Sequence, residues 1–325
     1  MAQQIAKTAG HPSLRLGVSA CLMGKAVRFD GGHSRDRLLT GPAAPFAELV
    51  PICPEVEMGL GTPRPTIRLQ REGELVKLVR PADGEDLTAR MRAWAEQRVE
   101  QIAKMDLSGY VLKKDSPSCG MERVRVYDQN GSPGRDGRGI FAEILMERLP
   151  LLPVEEDGRL HDARLRENFF ERAFAYDRLR KLFVKGWTAG DVVRFHSSEK
   201  LLLLSHDPRS CSELGRLVAA VKSHNREEFA ERYQRVFMGA LAKKASPGRQ
   251  VNVLEHIAGY FSEKVEASER AEIVSILEDF RKGLVPLAVP VTLIRHQVER
   301  FELDYIASQS YLSPHPKELS LRSHL

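Results

Sequence analysis

The feature that most constrains this chain is one local pattern used three times: a short β-like run that ends at a cysteine bracketed by Gly, Pro or Ser. The three copies are Leu16-Gly17-Val18-Ser19-Ala20-Cys21-Leu22-Met23-Gly24, then Leu49-Val50-Pro51-Ile52-Cys53-Pro54-Glu55, then Gly109-Tyr110-Val111-Leu112 leading through Lys113-Lys114-Asp115 into Ser116-Pro117-Ser118-Cys119-Gly120. In the third copy Pro117 fixes its own φ and restricts Ser116, while Gly120 lets the backbone pass close to whatever the thiol holds. A cysteine that merely fills a core needs no such turn. Ligands of open α/β sheets sit beyond the carboxyl ends of the strands, so three cysteines at three strand ends can meet at one point.

The periodicity around these segments predicts an α/β first half with a mainly parallel sheet. Strands are expected at residues 14–20, 48–52, 75–79, 109–112, 124–127 and 151–154, with a short helix near 35–48. A longer helix over 83–104, capped by Asp83 or Asp86, carries Leu87, Met91, Trp94, Ala95, Val99 and Ile102 at three-to-four spacing, a core stripe. A further helix covers 140–148. The glycine-rich stretch 130–139 reads as a mobile surface loop or lid; it is no Walker A, because no Gly-Lys-Ser/Thr follows.

From residue 162 the period becomes helical: 195–205, 213–223, 227–244, 252–262, 266–284 and 291–309 follow in turn. The expected organisation is an α/β domain over 1–160 with a loose N-terminal tail, a helical linker over 161–180, an all-α domain over 181–312 and a disordered tail over 313–325. A chain of 325 residues is longer than one typical core, and 42% apolar with 29% charged residues excludes wholesale disorder. The longest obvious apolar run, Leu201 to Leu204, is far too short to span a membrane. With no apolar stretch at the N-terminus, four cysteines point to a reducing cytoplasm, where clustered thiols are metal ligands or catalytic groups more often than disulfides.

Cys21, Cys53 and Cys119 stand 32 and 66 residues apart, unlike the compact spacing of a zinc finger or a ferredoxin. Their shared context favours one metal site, suited to zinc or to an iron–sulfur cluster. A cubane with three protein ligands keeps one iron open, a Lewis acid that suits a sulfur ligand. Glu55 and Ser116 can border that position: the carboxylate to activate water or shuttle a proton, the hydroxyl to hold the substrate. The plainer alternatives are a charge balancing Arg64 or Lys113, and a hydroxyl that caps its own turn. Arg64, in Pro63-Arg64-Pro65, can bind a carbonyl or phosphate oxygen or be an ordinary loop arginine. Cys211 lacks the strand context and is set aside.

At these residues the chain resembles the thiouracil desulfurase family. Val18-Ser19-Ala20-Cys21-Leu22-Met23-Gly24, Cys53-Pro54-Glu55 and Ser116-Pro117-Ser118-Cys119-Gly120 carry the resemblance in the same order, with Met23 as a departure. It implies an oxygen-sensitive 4Fe-4S cluster held by Cys21, Cys53 and Cys119, with Glu55 and Ser116 as the catalytic pair and a thiolated pyrimidine as substrate. The second half, in Phe195-His196-Ser197-Ser198-Glu199-Lys200-Leu201, Ser205-His206 and Asn252-Val253-Leu254-Glu255-His256-Ile257-Ala258-Gly259-Tyr260-Phe261, resembles the helical domain fused to longer desulfurases. The two-domain arrangement is similar to that of the bacterial tRNA 4-thiouridine desulfidases, which implies hydrolytic, non-redox removal of sulfur from 4-thiouridine in tRNA, giving uridine and sulfide. Two rivals stay open: a desulfurase of free thiouracil or thiouridine with a dimerising helical domain, and a non-enzymatic, metal-bearing RNA-binding redox sensor.

Residues 160–250 hold 18 Lys and Arg against 11 Asp and Glu, whereas 251–325 hold 8 against 11. That balance suits a polyanion partner such as tRNA, or simply a solvated helical face. Arg194, His196, Lys200 and His206 are the candidate nucleic-acid contacts, with Trp187, Phe195 or Tyr260 near bases; the alternative is that the aromatics are core and the histidines internal hydrogen-bond partners.

Overall fold

The computed structural model describes residues 14–324, and the expected loose tail over 1–13 lies outside them. The chain divides into two units between Asp162 and Ala163. In the first, β1 (Leu14–Ser19) is one of the two inner strands of a four-stranded parallel sheet in the order β2-β1-β6-β9, where β2 is Ala47–Ile52, β6 Gly109–Leu112 and β9 Val154–Glu156. β1 and β6 are almost wholly buried, as strands covered on both faces must be, and so read as continuous apolar runs. Gly17 belongs to this packing: a Cβ there would lie 2.3 Å from the Tyr110 ring, so only glycine lets that ring cross β1.

Helix α2 (Thr88–Ala103) buries Met91, Ala95, Val99 and Ile102, the core stripe, and its first turn is met by Asp86, which accepts the Thr88 N–H at 2.9 Å. Helix α3 (Ile140–Arg148) packs beside it and inserts Phe141 between Trp94 and Tyr110.

A second, five-stranded sheet was not expected. Its order is β5-β4-β3-β7-β8, from β3 (Arg68–Glu72), β4 (Leu75–Arg80), β5 (Glu85–Asp86), β7 (Val124–Tyr127) and β8 (Pro133–Gly137). Only β3 and β7 pair parallel; the others are antiparallel. Half of the supposed lid over 130–139 is therefore strand. Asn130-Gly131 turns the hairpin, Gly131 takes φ 79°, and Asp128 accepts the N–H groups of Asn130 and Ser132. The expected helix near 35–48 is absent too. Pro42 and Pro45 lack the N–H a helix needs, Asp36 spends its carboxylate on the Leu39 N–H, and only a 3-10 turn forms at Ala44–Phe46.

The second unit is helical: α4 (Ala163–Leu182), α5 (Ala189–His206), α6 (Pro208–Ala219), α7 (Arg226–Leu241), α8 (Pro247–Gly259), α9 (Ala267–Arg281), α10 (Ala288–Arg300) and the short α11 (Asp304–Ala307). Side-chain caps set the starts: Thr188 with Asp191 in a capping box, Asp207 before Pro208, Asn225, and Ser246 before Pro247. No helix of the described residues is long and apolar enough to cross a membrane.

Two expectations need correction. The segment 161–180 is not a linker, because α4 buries Phe169, Phe170, Phe174 and Leu179 within the second unit. Nor is 313–324 a disordered tail. Tyr311, Leu319 and Leu321 are buried, and Arg322, 6% exposed, reaches Glu171 at 3.0 Å and Glu167 at 3.4 Å while donating to the Tyr311 carbonyl at 2.6 Å. Proline-rich sequence disguised a strap held by one buried cation.

Candidate active site

Because β2, β1 and β6 are adjacent and parallel, their carboxyl ends share one edge of the sheet, and each end carries one of the three cysteines. After β1 the chain enters a 3-10 turn over Ala20–Met23, closed by Gly24 at φ 86°, and the Cys21 carbonyl accepts N–H groups from Gly24 and Ser34. After β2, Cys53 precedes a single helical turn, α1 (Pro54–Glu57), whose Val56 N–H points back at the Cys53 sulfur. After β6 the turn to Cys119 is held by Ser116, whose Oγ accepts the N–H groups of Ser118 at 3.2 Å and Cys119 at 3.0 Å. Gly139 backs this turn so closely that a Cβ would sit 2.5 Å from the Ser118 carbonyl.

The three thiols open on a cavity of about 780 Å³ that Glu55, Ser116, Arg64 and Lys113 also line. Glu55 is 8% exposed, with Oε2 3.5 Å from the Cys53 sulfur and 4.0 Å from Arg64 Nη2. Arg64 spends Nη1 on the carbonyls of Val27 and Gly61, both at 2.9 Å, so its guanidinium is bound inward by the protein's own oxygens. Ser116 does cap its turn. Accepting two N–H groups still leaves its one hydroxyl proton to donate toward the cavity.

Burial raises all three thiols, and the Glu55 carboxylate raises them further. Cys21 is pushed from 9.0 to about 11, Cys53 to about 12 and Cys119 well above the ordinary value. Lys113 and Arg28 oppose the rise at Cys21, as Arg64 does at Cys53. Thiols in such a place ionise when a cation joins them. Among the described residues no three His, Cys, Asp or Glu side chains close on one point as the ligands of a single ion would.

Two residues beside the site had not been singled out. Ser19, 2% exposed, accepts the Lys113 N–H at 3.0 Å and turns its own proton to the Cys119 sulfur, tying the ends of β1 and β6 together. It lies inside the first cysteine segment, which was its only signal. Asp157, 8% exposed, takes Lys113 Nζ at 2.6 Å and the Lys114 N–H at 2.8 Å; a lone aspartate 44 residues on gives no sequence signal.

The four candidate nucleic-acid residues are not assembled into a face. His196 is 8% exposed and bonds the Tyr233 hydroxyl at 3.1 Å. His206 is 1% exposed; its Nδ1 donates to the Lys243 carbonyl at 2.5 Å and its Nε2 meets Glu171 at 2.9 Å. Burial opposes the charge on His206, but Glu171 wins and its pKa is raised. Both histidines are internal partners. Arg194, paired with Asp191, and Lys200 stay at the surface, about 120° apart around α5. Trp187 packs on Phe183 and Phe229 under the Arg226 guanidinium, and Phe195 on Tyr233 and Phe237. Tyr260 is 44% exposed. Cys211 is buried, donating weakly to the Lys200 carbonyl.

Residues 16–157 match the 2-thiouracil desulfurase family, and residues 200–316 match a family described as a protein of unknown function, DUF1722. The chain is 29% identical over 152 residues to the uncharacterized protein YbgA of Escherichia coli strain K12, covering 46% of this chain and 90% of that one. It is 33% identical over 137 residues to the uncharacterized protein YbbK of Bacillus subtilis strain 168, covering 40% of this chain and 88% of that one. Among solved structures it is similar to TudS, described as a 4Fe-4S-dependent thiouracil desulfidase, at 31% identity over 46% of this chain and 94% of that one, with a TM-score of 0.36. Through residues 16–157, the chain belongs to the 2-thiouracil desulfurase family.

Proposed function

We propose that this chain removes sulfur from a thiolated pyrimidine by hydrolysis, with 4-thiouridine in tRNA as its substrate and a 4Fe-4S cluster as its cofactor. The observation that carries the proposal is the convergence of Cys21, Cys53, Cys119, Glu55 and Ser116 on one cavity at the carboxyl edge of a parallel sheet. Membership in the desulfurase family supports it.

The residues fit the cofactor. Cys21, Cys53 and Cys119 supply three soft donors from three separate strand ends, and a cluster would offer each thiolate its own iron. When bound, a cluster held by three cysteines supplies an iron with a free position, a Lewis acid suited to sulfur. A reducing cytoplasm would keep these thiols available.

The protein's own groups do the rest. The balanced reaction is a thiocarbonyl plus water giving a carbonyl plus hydrogen sulfide, with no electrons exchanged. Glu55, shielded from solvent and steadied by Arg64, takes a proton from the attacking water. Ser116 donates its remaining hydroxyl proton to the pyrimidine edge and so orients the ring. The 780 Å³ cavity accommodates an extruded base, which a nucleotide packed within tRNA must become to be reached. The cationic balance of 160–250 supports a polyanionic substrate.

A second reading, action on free thiolated bases, is favoured by one fact: every lining residue of the cavity comes from the first unit, between Ser19 and Tyr127. Sulfide release from thiolated tRNA and from free 4-thiouracil, compared anaerobically at equal concentration, separates the two. Faster release from tRNA supports the first reading, and release from the free base alone overturns it.

A further inference from the structure

One cation in the site has no role in the hydrolysis as derived above. Five Lys or Arg side chains line the cavity, and four are disposed of by their surroundings. Arg64 is bound to backbone carbonyls and faces Glu55. Arg28 donates to Ser34, lies 3.7 Å from Asp30 and covers the Phe29 ring. Lys114 and Arg125 are exposed, so water and salt screen them.

Lys113 differs from these. Its side chain is 18% exposed, and its ammonium is fixed by Asp157, whose side chain is 11% exposed. Asp157 also pins the next backbone N–H, and Ser19 pins the Lys113 N–H. Position and direction are thus set from three sides. Asp157 uses one of three ammonium donors, and a charge in so shielded a place acts far more strongly than one in water. The field of Lys113 is felt at the Cys21 thiol.

The substrate class offers a matching charge. The N3–H of a pyrimidine lies between its two carbonyl positions. When either carbonyl is replaced by a thiocarbonyl, that N–H becomes more acidic, because sulfur carries the resulting negative charge more readily than oxygen. A thiolated pyrimidine therefore ionises at lower pH than uracil, whichever position bears the sulfur.

Resting on the desulfurase reading, we propose that Lys113 is the ammonium that pairs with the ionised N3–C–S edge of the thiolated pyrimidine, so that the site takes its substrate as the anion and discriminates against ordinary uracil. The N3 proton goes to solvent before binding, and no covalent bond is made or broken in this step. Glu55 and Asp157, the partner of Lys113, are the carboxylates that oppose an anion here, while Arg64, Asp30 and Asp115 are engaged by Glu55, Arg28 and Arg135. At Cys21 the Glu55 charge is felt more strongly than that of Lys113, so the pairing comes from direct contact with the two ammonium donors that Asp157 leaves over, and not from the field of the cavity.

The test is equilibrium binding of 4-thiouracil and of uracil to the full chain, measured by calorimetry below and above the N3 ionisation of 4-thiouracil. Wild type, Lys113→Met and Lys113→Arg are compared, and iron and sulfide content are assayed in each. In wild type, 4-thiouracil should tighten about ten- to a hundredfold across that ionisation, as one charge-assisted contact allows, while uracil stays level. Lys113→Met should abolish the tightening with cluster content intact, and Lys113→Arg should keep most of it. A Lys113→Met protein that keeps the tightening overturns the proposal, as does 4-thiouracil that weakens with rising pH or fails to bind wild type. Wild type that shows the tightening yet releases no sulfide overturns hydrolysis and leaves the role of Lys113 standing.

Discussion

Arg322 is the residue whose replacement reports most directly on how the second unit is closed. Its guanidinium, 6% exposed, sits between Glu171, 3% exposed, and Glu167, and donates to the carbonyl of Tyr311. Arg322→Met keeps the volume and removes the charge, leaving two buried carboxylates facing each other with His206 as the nearest cation. Breaking a buried ion pair by removing one partner costs about 3–5 kcal/mol. Against a typical domain stability of about 5–15 kcal/mol that is at least about a fifth of the total, and for a unit of this size it lowers Tm by about 6–20 °C. The assay is scanning calorimetry of the full chain, where two units allow two transitions and only one should move. Adding Glu171→Gln should recover part of the loss, because it removes a stranded charge. A cost below about 1 kcal/mol would refute the reasoning, since Arg322 would then be frayed into water and residues 313–324 would not form a strap.

Other perturbations follow from the same contacts. The second unit should be most stable in mildly acidic solution. Glu171, held near 2 by His206 and Arg322 despite its burial, loses its contribution as pH falls below 4.5. Glu167, raised by burial to about 7, prefers its proton in the folded state, so stability falls as pH rises from 4.5 to 7 and again as His206 deprotonates; denaturation midpoints against pH check this. Glu55→Gln in protein free of metal should lower the Cys53 and Cys21 pKa values and speed their alkylation, because Glu55 raises both; unchanged rates would remove Glu55 from the thiols. Gly139→Ala should cost about 1–3 kcal/mol and loosen the Cys119 turn, seen as lost stability together with lost iron, since its Cβ meets backbone that cannot step aside. Ser116→Ala should keep iron while lowering kcat by about a hundredfold; loss of iron instead would leave only its part in the turn.

What the sequence made legible was local. β6, β7 and α3 occupy the ranges their apolar patterns predict, with Ser108 before β6 and Gly139 and Pro150 on either side of α3. The cysteines could be singled out because each copy of the pattern is complete within a few residues. β3 was invisible: in Arg-Leu-Gln-Arg-Glu only Leu69 is buried, so no alternation marks it. β8 was misread although Asn130-Gly131 was in view, because glycines that serve a hairpin resemble glycines that serve a loop. The relations that shape the two sites join distant residues. Lys113 depends on Asp157, and Arg322 on Glu171, 151 residues away. His206 resembled a surface contact until Glu171 enclosed it. A buried charge is recognised by its partner, and one sequence does not show which residues become partners.

The most direct test of the desulfurase reading is anaerobic purification followed by incubation with 4-thiouridine-containing tRNA, measuring sulfide release and the nucleosides by mass spectrometry. The proposal predicts four irons per chain, bound through Cys21, Cys53 and Cys119, with 4-thiouridine converted to uridine and one sulfide released for each. Zinc in place of iron, or 4-thiouridine left intact in tRNA and as the free base by an iron-loaded protein, would contradict it.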